Sequence, residues 1–132
     1  MPTISLLVLP IEQKVTAERF SLPKTSAYNA CMVYEEFQAS IVEPQPPPDI
    51  TALLTALWWD AKGDWNQAHE IAQNVASSGA AWVHAYLHRK ERDENNAGYW
   101  YRRAGKPHAR NSFEAEWEEI VRAFLDNSLT IT

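Results

Sequence analysis

Apolar residues recur along the chain at steps of three and four, the spacing that lines up side chains on one face of a helix. Ala27, Ala30, Cys31, Tyr34, Phe37 and Ile41 follow it, which predicts a helix over Ser26–Ser40. A run of prolines, Pro44-Gln45-Pro46-Pro47-Pro48, then excludes helix and ladder hydrogen bonds alike and reads as a stiff spacer. Beyond it Asp49 is the expected N-cap of a helix carrying Leu53, Leu54, Leu57, Trp58 and Ala61, which Gly63 stops. Asp64 caps the next helix, Gln67 stands at the capping-box position, and Ala68, Ile71, Ala72 and Val75 form the inner face before Ser77-Ser78-Gly79.

A third helix of this region is predicted over Ala80–Lys90 and buries Val83, Tyr86 and Leu87. Asp93 caps a fourth, which runs through Ala97, Trp100, Tyr101 and Ala104 to a stop at Gly105 and Pro107. The last helix starts at Asn111 or Ser112. Its stripe is Phe113, Trp117, Ile120, Val121, Phe124 and Leu125, with Glu114, Glu116, Glu118 and Glu119 assigned to the wet side or the positive helix start. Only Thr3–Leu9, β-branched, leucine-rich and followed by Pro10, reads as a short strand or extended arm. The expected fold is therefore all-α: an N-terminal arm and helix over 1–43, a spacer over 44–48, and a helical core over 49–132.

Within that core the chain repeats itself. Asp64-Trp65-Asn66-Gln67-Ala68 aligns with Asp93-Glu94-Asn95-Asn96-Ala97 at an offset of 29 residues, and Leu57, Trp58, Ile71 and Ala72 fall on Tyr86, Leu87, Trp100 and Tyr101. Repetition of cap, small residue and core positions together indicates stacked helical hairpins, each needing a neighbour to cover its apolar face. Gly63-Asp64-Trp65-Asn66-Gln67-Ala68 resembles the turn of tetratricopeptide repeats, and Tyr99-Trp100-Tyr101-Arg102-Arg103-Ala104 is similar to the helix ending of Sel1-like repeats. The stretch from Leu57 to Lys106 also resembles a group of bacterial proteins that carry the run Trp58-Trp59-Asp60-Ala61-Lys62-Gly63-Asp64-Trp65, a likeness that implies no activity. The pattern departs from the repeat in two places: the offset is shorter than the ~34 residues of tetratricopeptide repeats, and Arg92 stands where the turn glycine belongs. A compact bundle is expected in place of a regular superhelix.

Composition narrows the function classes. The 132 residues, 45% of them apolar, suffice for one core, and six tryptophans exceed what such a core requires. A single cysteine, Cys31, gives no internal disulfide, and the start of the chain lacks a basic leader segment, so a reducing cytoplasmic setting is expected. No apolar run reaches the ~18 residues that span a bilayer. The net charge of −5 speaks against general nucleic-acid binding, although residues 84–110 carry seven basic against three acidic side chains.

Repeat scaffolds of this kind bind partners through residues displayed by successive first helices. Trp59, Lys62, His84, His88 and Arg89 are the residues expected to form such a surface, for another protein or an acidic peptide, with a homodimer as a further possibility and no cofactor called for. A small metal-dependent or acid–base enzyme is the competing class. His84 and His88 stand one helical turn apart, and His69 and Glu70 on the preceding helix can join them across the hairpin as a candidate ligand set for a metal; hydrogen-bonded interface histidines would have the same spacing. Asp60, Asp64, His69 and Glu70 form a possible acid–base group near the first turn. A third class, RNA or anionic-ligand binding, rests on the aromatic and basic residues Trp82, Tyr86, Tyr99, Trp100, Tyr101, Arg102 and Arg103.

Overall fold

In the computed structural model, residues 32–127 are described, and their regular structure is helical. The helices are α1 (Tyr34–Ala39), α2 (Ala52–Ala61), α3 (Trp65–Gln73), α4 (Ser78–Lys90), α5 (Glu94–Ala104) and α6 (Phe113–Asn127), with a 3-10 turn at Ser40–Val42 after α1. The expected strand at Thr3–Leu9, the first part of the Ser26–Ser40 helix and Cys31 lie outside the described residues. Among the described residues no helix is long and apolar enough to cross a membrane.

Helix α4 is the centre of the bundle. It packs against α2, α3, α5 and α6, and nine of its thirteen residues are buried, because small alanines alternate with Trp82, Val83, Tyr86 and Leu87 around its whole circumference. Ser77 caps it, its hydroxyl accepting from the Ala80 N–H, so the helix starts two residues before the position read from the sequence. α1 joins the same core through Phe37 and Tyr34, whose rings lie 6.0 and 6.2 Å from that of Trp117. The Trp58 indole N–H donates to the Ser40 hydroxyl, and Lys62 Nζ donates to the carbonyls of Ile41 and Glu43.

The proline run thus crosses the surface between two parts of one compact unit. Asp49 does not cap α2: it takes a left-handed turn conformation (φ 68°), which aspartate tolerates better than most residues, and Thr51 accepts the Leu54 N–H instead.

Three helix ends close in the same way. The N–H groups of Asp64, Asp93 and Lys106 donate to the carbonyls of Trp59, His88 and Tyr101, and those of Gly63, Arg92 and Gly105 donate to Asp60, Arg89 and Arg102. This doubled closure satisfies carbonyls that the helix leaves orphaned, and it needs a left-handed residue, here Gly63, Arg92 or Gly105. Asp64 and Asp93 then have nearly equal backbone angles (φ −101°, ψ 77° and φ −98°, ψ 78°), and each accepts the N–H three residues on. The α2–α3 and α4–α5 turns are equivalent in hydrogen bonding, and arginine takes the strained position in the second.

A candidate three-histidine metal centre

The α2–α3 reversal sends α3 back along the bundle, and its two fully buried residues, Ala68 and Ala72, are small enough to let it lie close to its neighbours. Trp65 fixes its start, the indole N–H donating to the Leu87 carbonyl at 2.8 Å. His69, one turn along, therefore meets His84 and His88, which α4 presents from successive turns. His69 Nε2 and His84 Nε2 lie 3.0 Å apart, and one ligand atom from each of the three histidines falls within 4.8 Å of the others. The rings of His84 and His88 are parallel (2°) with centroids 5.6 Å apart, and His69 stands edge-on to both.

Two indoles wall the cluster. Trp65 stacks on His69 at 4.8 Å, and Trp100 from α5 stacks on His84 at 4.2 Å. His84 is buried, at 6% exposure, while His69 and His88 are partly exposed, so the cluster has a closed floor and a wetter side. Burial holds the His84 imidazole down to about 4, with His69 and His88 adding to the effect, and burial likewise lowers His69. At neutral pH both are uncharged, and at 3.0 Å only one proton can lie between their facing nitrogens. Glu91 accepts from His88 Nδ1 at 2.8 Å, which leaves Nε2 as the free nitrogen of that ring.

Imidazole nitrogens gathered this closely are what a borderline transition-metal ion binds, the ion taking the place of the proton shared by His69 and His84, and a carboxylate on the far nitrogen is the usual orienting partner of such a ligand. A second grouping, His88 with Glu91 and Asp93, competes for the same ring. It is the poorer one. Asp93 is committed to its cap, accepting from both the backbone N–H and the side-chain amide of Asn96.

No protein-family model, no curated protein and no solved structure matches the chain.

The five residues expected to share a binding surface are divided. His84 and His88 belong to the cluster just described. Lys62 is exposed, but its ammonium is engaged by the Ile41 and Glu43 carbonyls, and Trp59 is half-buried against Trp58 at 5.0 Å. Arg89 points inward. It is 9% exposed and pairs with Glu116 at 2.7 Å, so its guanidinium faces the core and not solvent.

Of the two places expected for Glu116, the wet side or the positive helix start, it takes the second: it lies in the first turn of α6, but turned into the core. Its carboxylate is 1% exposed and accepts from Arg89, from the Tyr101 hydroxyl at 2.7 and 2.9 Å, and from the Trp82 indole at 3.3 Å. Arg89 also donates to the Asn111 carbonyl. The signal was present in the spacing: Glu116 stands four residues before Ile120 and three after Phe113, inside the apolar arc.

Two other groupings also separate. Asp60 is buried beneath the Tyr86 hydroxyl and Lys90, both at 2.9 Å, and lines a cavity of about 480 Å³ with Tyr34, Phe113 and Trp117, whereas Asp64 caps α3 and Glu70 is exposed. Trp82, Tyr86 and Tyr101 are core residues, which leaves Tyr99, 44% exposed, with Arg102 and Arg103 as the outward part of the aromatic and basic group.

Proposed function

We propose that the protein binds one divalent transition-metal ion, of the zinc, cobalt, nickel or copper class, through His69, His84 and His88. The observation that carries this reading is the convergence of three imidazole nitrogens, two of them 3.0 Å apart, from two helices. Nitrogen donors select such ions over magnesium and calcium, which require oxygen. His84 is the buried anchor, His69 ties the ion to α3, and Glu91 acts as the positioning residue that fixes the His88 tautomer. Metal-free protein prepared without an affinity tag is expected to bind one equivalent of zinc in calorimetry, and His69→Gln and His84→Gln to abolish binding while leaving the helical circular-dichroism signal intact. A wild-type titration without a stoichiometric step overturns the reading.

A second reading, a helical-repeat scaffold for a partner protein or acidic peptide, draws support from the matched α2–α3 and α4–α5 turns. Trp59 and Lys62 keep exposed atoms for such a contact. Saturable binding of a poly-glutamate peptide, weakened in Trp59→Ala, is the expected result. Equal affinity for the two forms counts against that surface.

A further inference from the structure

Three neutral nitrogens leave the full double charge of a bound ion uncompensated in its inner shell, and they leave one tetrahedral position without a protein ligand. Among the described residues, the carboxylates near enough to fill that position are already occupied: Glu91 lies on the far nitrogen of His88, and Asp93 caps α5. Structural zinc sites close all four positions with protein groups, whereas sites that work on exogenous molecules keep one for water or ligand.

Resting on the metal-binding reading, we infer that the fourth position at His69, His84 and His88 is open and takes a small monoanion of the carboxylate type. Three features of the surroundings agree. The partial exposure of His69 and His88 gives solvent a way in, while buried His84 closes the other side. The charge balance asks for a single negative charge: among the described residues Glu91 is the carboxylate hydrogen-bonded to a ligand ring, so ion and carboxylate together leave one positive charge over. A basic group adjoins one wall of the site: the Arg103 guanidinium lies 5.5 Å over the Trp100 ring that itself stacks on His84. A guanidinium matches the two oxygens of a carboxylate better than it matches a spherical halide.

With an ion held by the three histidines, an entering anion would take the place of water there, and no covalent bond of the protein would change. The two indoles on either side restrict the space and lower the local dielectric, which strengthens the attraction for an anion over that in bulk water.

Cobalt is the probe, because its visible absorption reports the ligands around it. The full-chain protein loaded with one equivalent of cobalt is expected to change spectrum saturably with azide and with acetate, and the two are expected to compete. Arg103→Ala is expected to weaken acetate by roughly 2- to 5-fold, the size of an exposed charge contribution, with cobalt affinity unchanged. A cobalt-loaded protein whose spectrum is blind to both anions has its fourth position filled by the chain, and that result overturns the open site while leaving metal binding intact. Failure to bind cobalt at all overturns both. Unchanged acetate affinity in Arg103→Ala removes the arginine from the account.

Discussion

Two sides of α4 each carry a polar cluster, and they differ in what their atoms have left to do. On one side Arg89 meets Glu116, whose two oxygens accept from Arg89, from Trp82 and, shared between them, from the single Tyr101 hydroxyl proton. Charges cancel there, and little lone-pair capacity remains. On the other side His84 meets His69 with both rings uncharged at neutral pH and their facing nitrogens sharing at most one proton, and His88 stands beside them. Buried polarity is common to both, so it does not by itself mark a working site. Unspent bonding capacity does.

The largest expected effect breaks the satisfied cluster. Glu116→Ala leaves Arg89 as an uncompensated buried charge, and denaturant unfolding is expected to show a loss of about 3 to 5 kcal/mol. Replacing both partners by apolar residues, Arg89→Met with Glu116→Leu, is expected to recover much of that loss, limited by the Tyr101 hydroxyl and Trp82 indole then left without an acceptor. A double variant as unstable as the single one would remove the charge argument.

The histidine side should respond to metal instead. Zinc at 100 times its dissociation constant is expected to stabilise the wild-type fold by about 2.7 kcal/mol, read as a rise in Tm, and to leave His84→Gln unmoved. An equal rise in both proteins would place the zinc elsewhere.

Acid sharpens the comparison in the metal-free protein. The folded-state pKa of His84 is depressed, so as pH falls below 6.5 the unfolded chain takes up a proton that the folded chain refuses, until about 4. His69 shifts in the same direction. The stability that His84 accounts for is therefore complete above 6.5 and lost progressively between 6.5 and about 4, and His69 adds a loss of the same sign below 6.5. A variant with glutamine at both positions is expected to have a flatter pH–stability curve across that window. Identical slopes would deny the coupling.

Smaller effects test the matched turns. Asp64→Ala and Asp93→Ala are each expected to cost about 1 kcal/mol, nearly equally, because the two caps share backbone angles and acceptor geometry. Arg92→Gly is expected to stabilise by about 0.5 to 1 kcal/mol, since glycine takes the left-handed angle without the side-chain clash. Strongly unequal caps would mean that the two turns differ in more than sequence.

Much of this was legible along the chain wherever a local rule decides the outcome. Asp64, Asp93, Gly63 and Gly105 were readable as cap and stop because a helix end is settled by a few neighbouring residues. The pairing of His84 with His88 followed from their spacing, and His69 was placed opposite by the hairpin.

Asp49 misled because a capping residue stood in a favourable place while the proline-rich crossover consumed it in a turn, and the cap moved to Thr51. Arg89 and Glu116 were missed for another reason. The place of Glu116 inside the apolar arc marks its burial, but the partnership with Arg89 spans 27 residues of chain, so no local pattern names the partner. The two tryptophans over the histidines, Trp65 and Trp100, were likewise separated by sequence and joined only by packing.

The central claim is that three imidazoles meet at one ion, and X-ray absorption spectroscopy of the zinc-loaded protein measures that most directly. The account predicts an inner shell containing nitrogen at roughly 2.0 to 2.1 Å, with the outer-shell scattering of three imidazole rings, reduced in His69→Gln. A shell of oxygen alone, or a ring count unchanged in that variant, would contradict it.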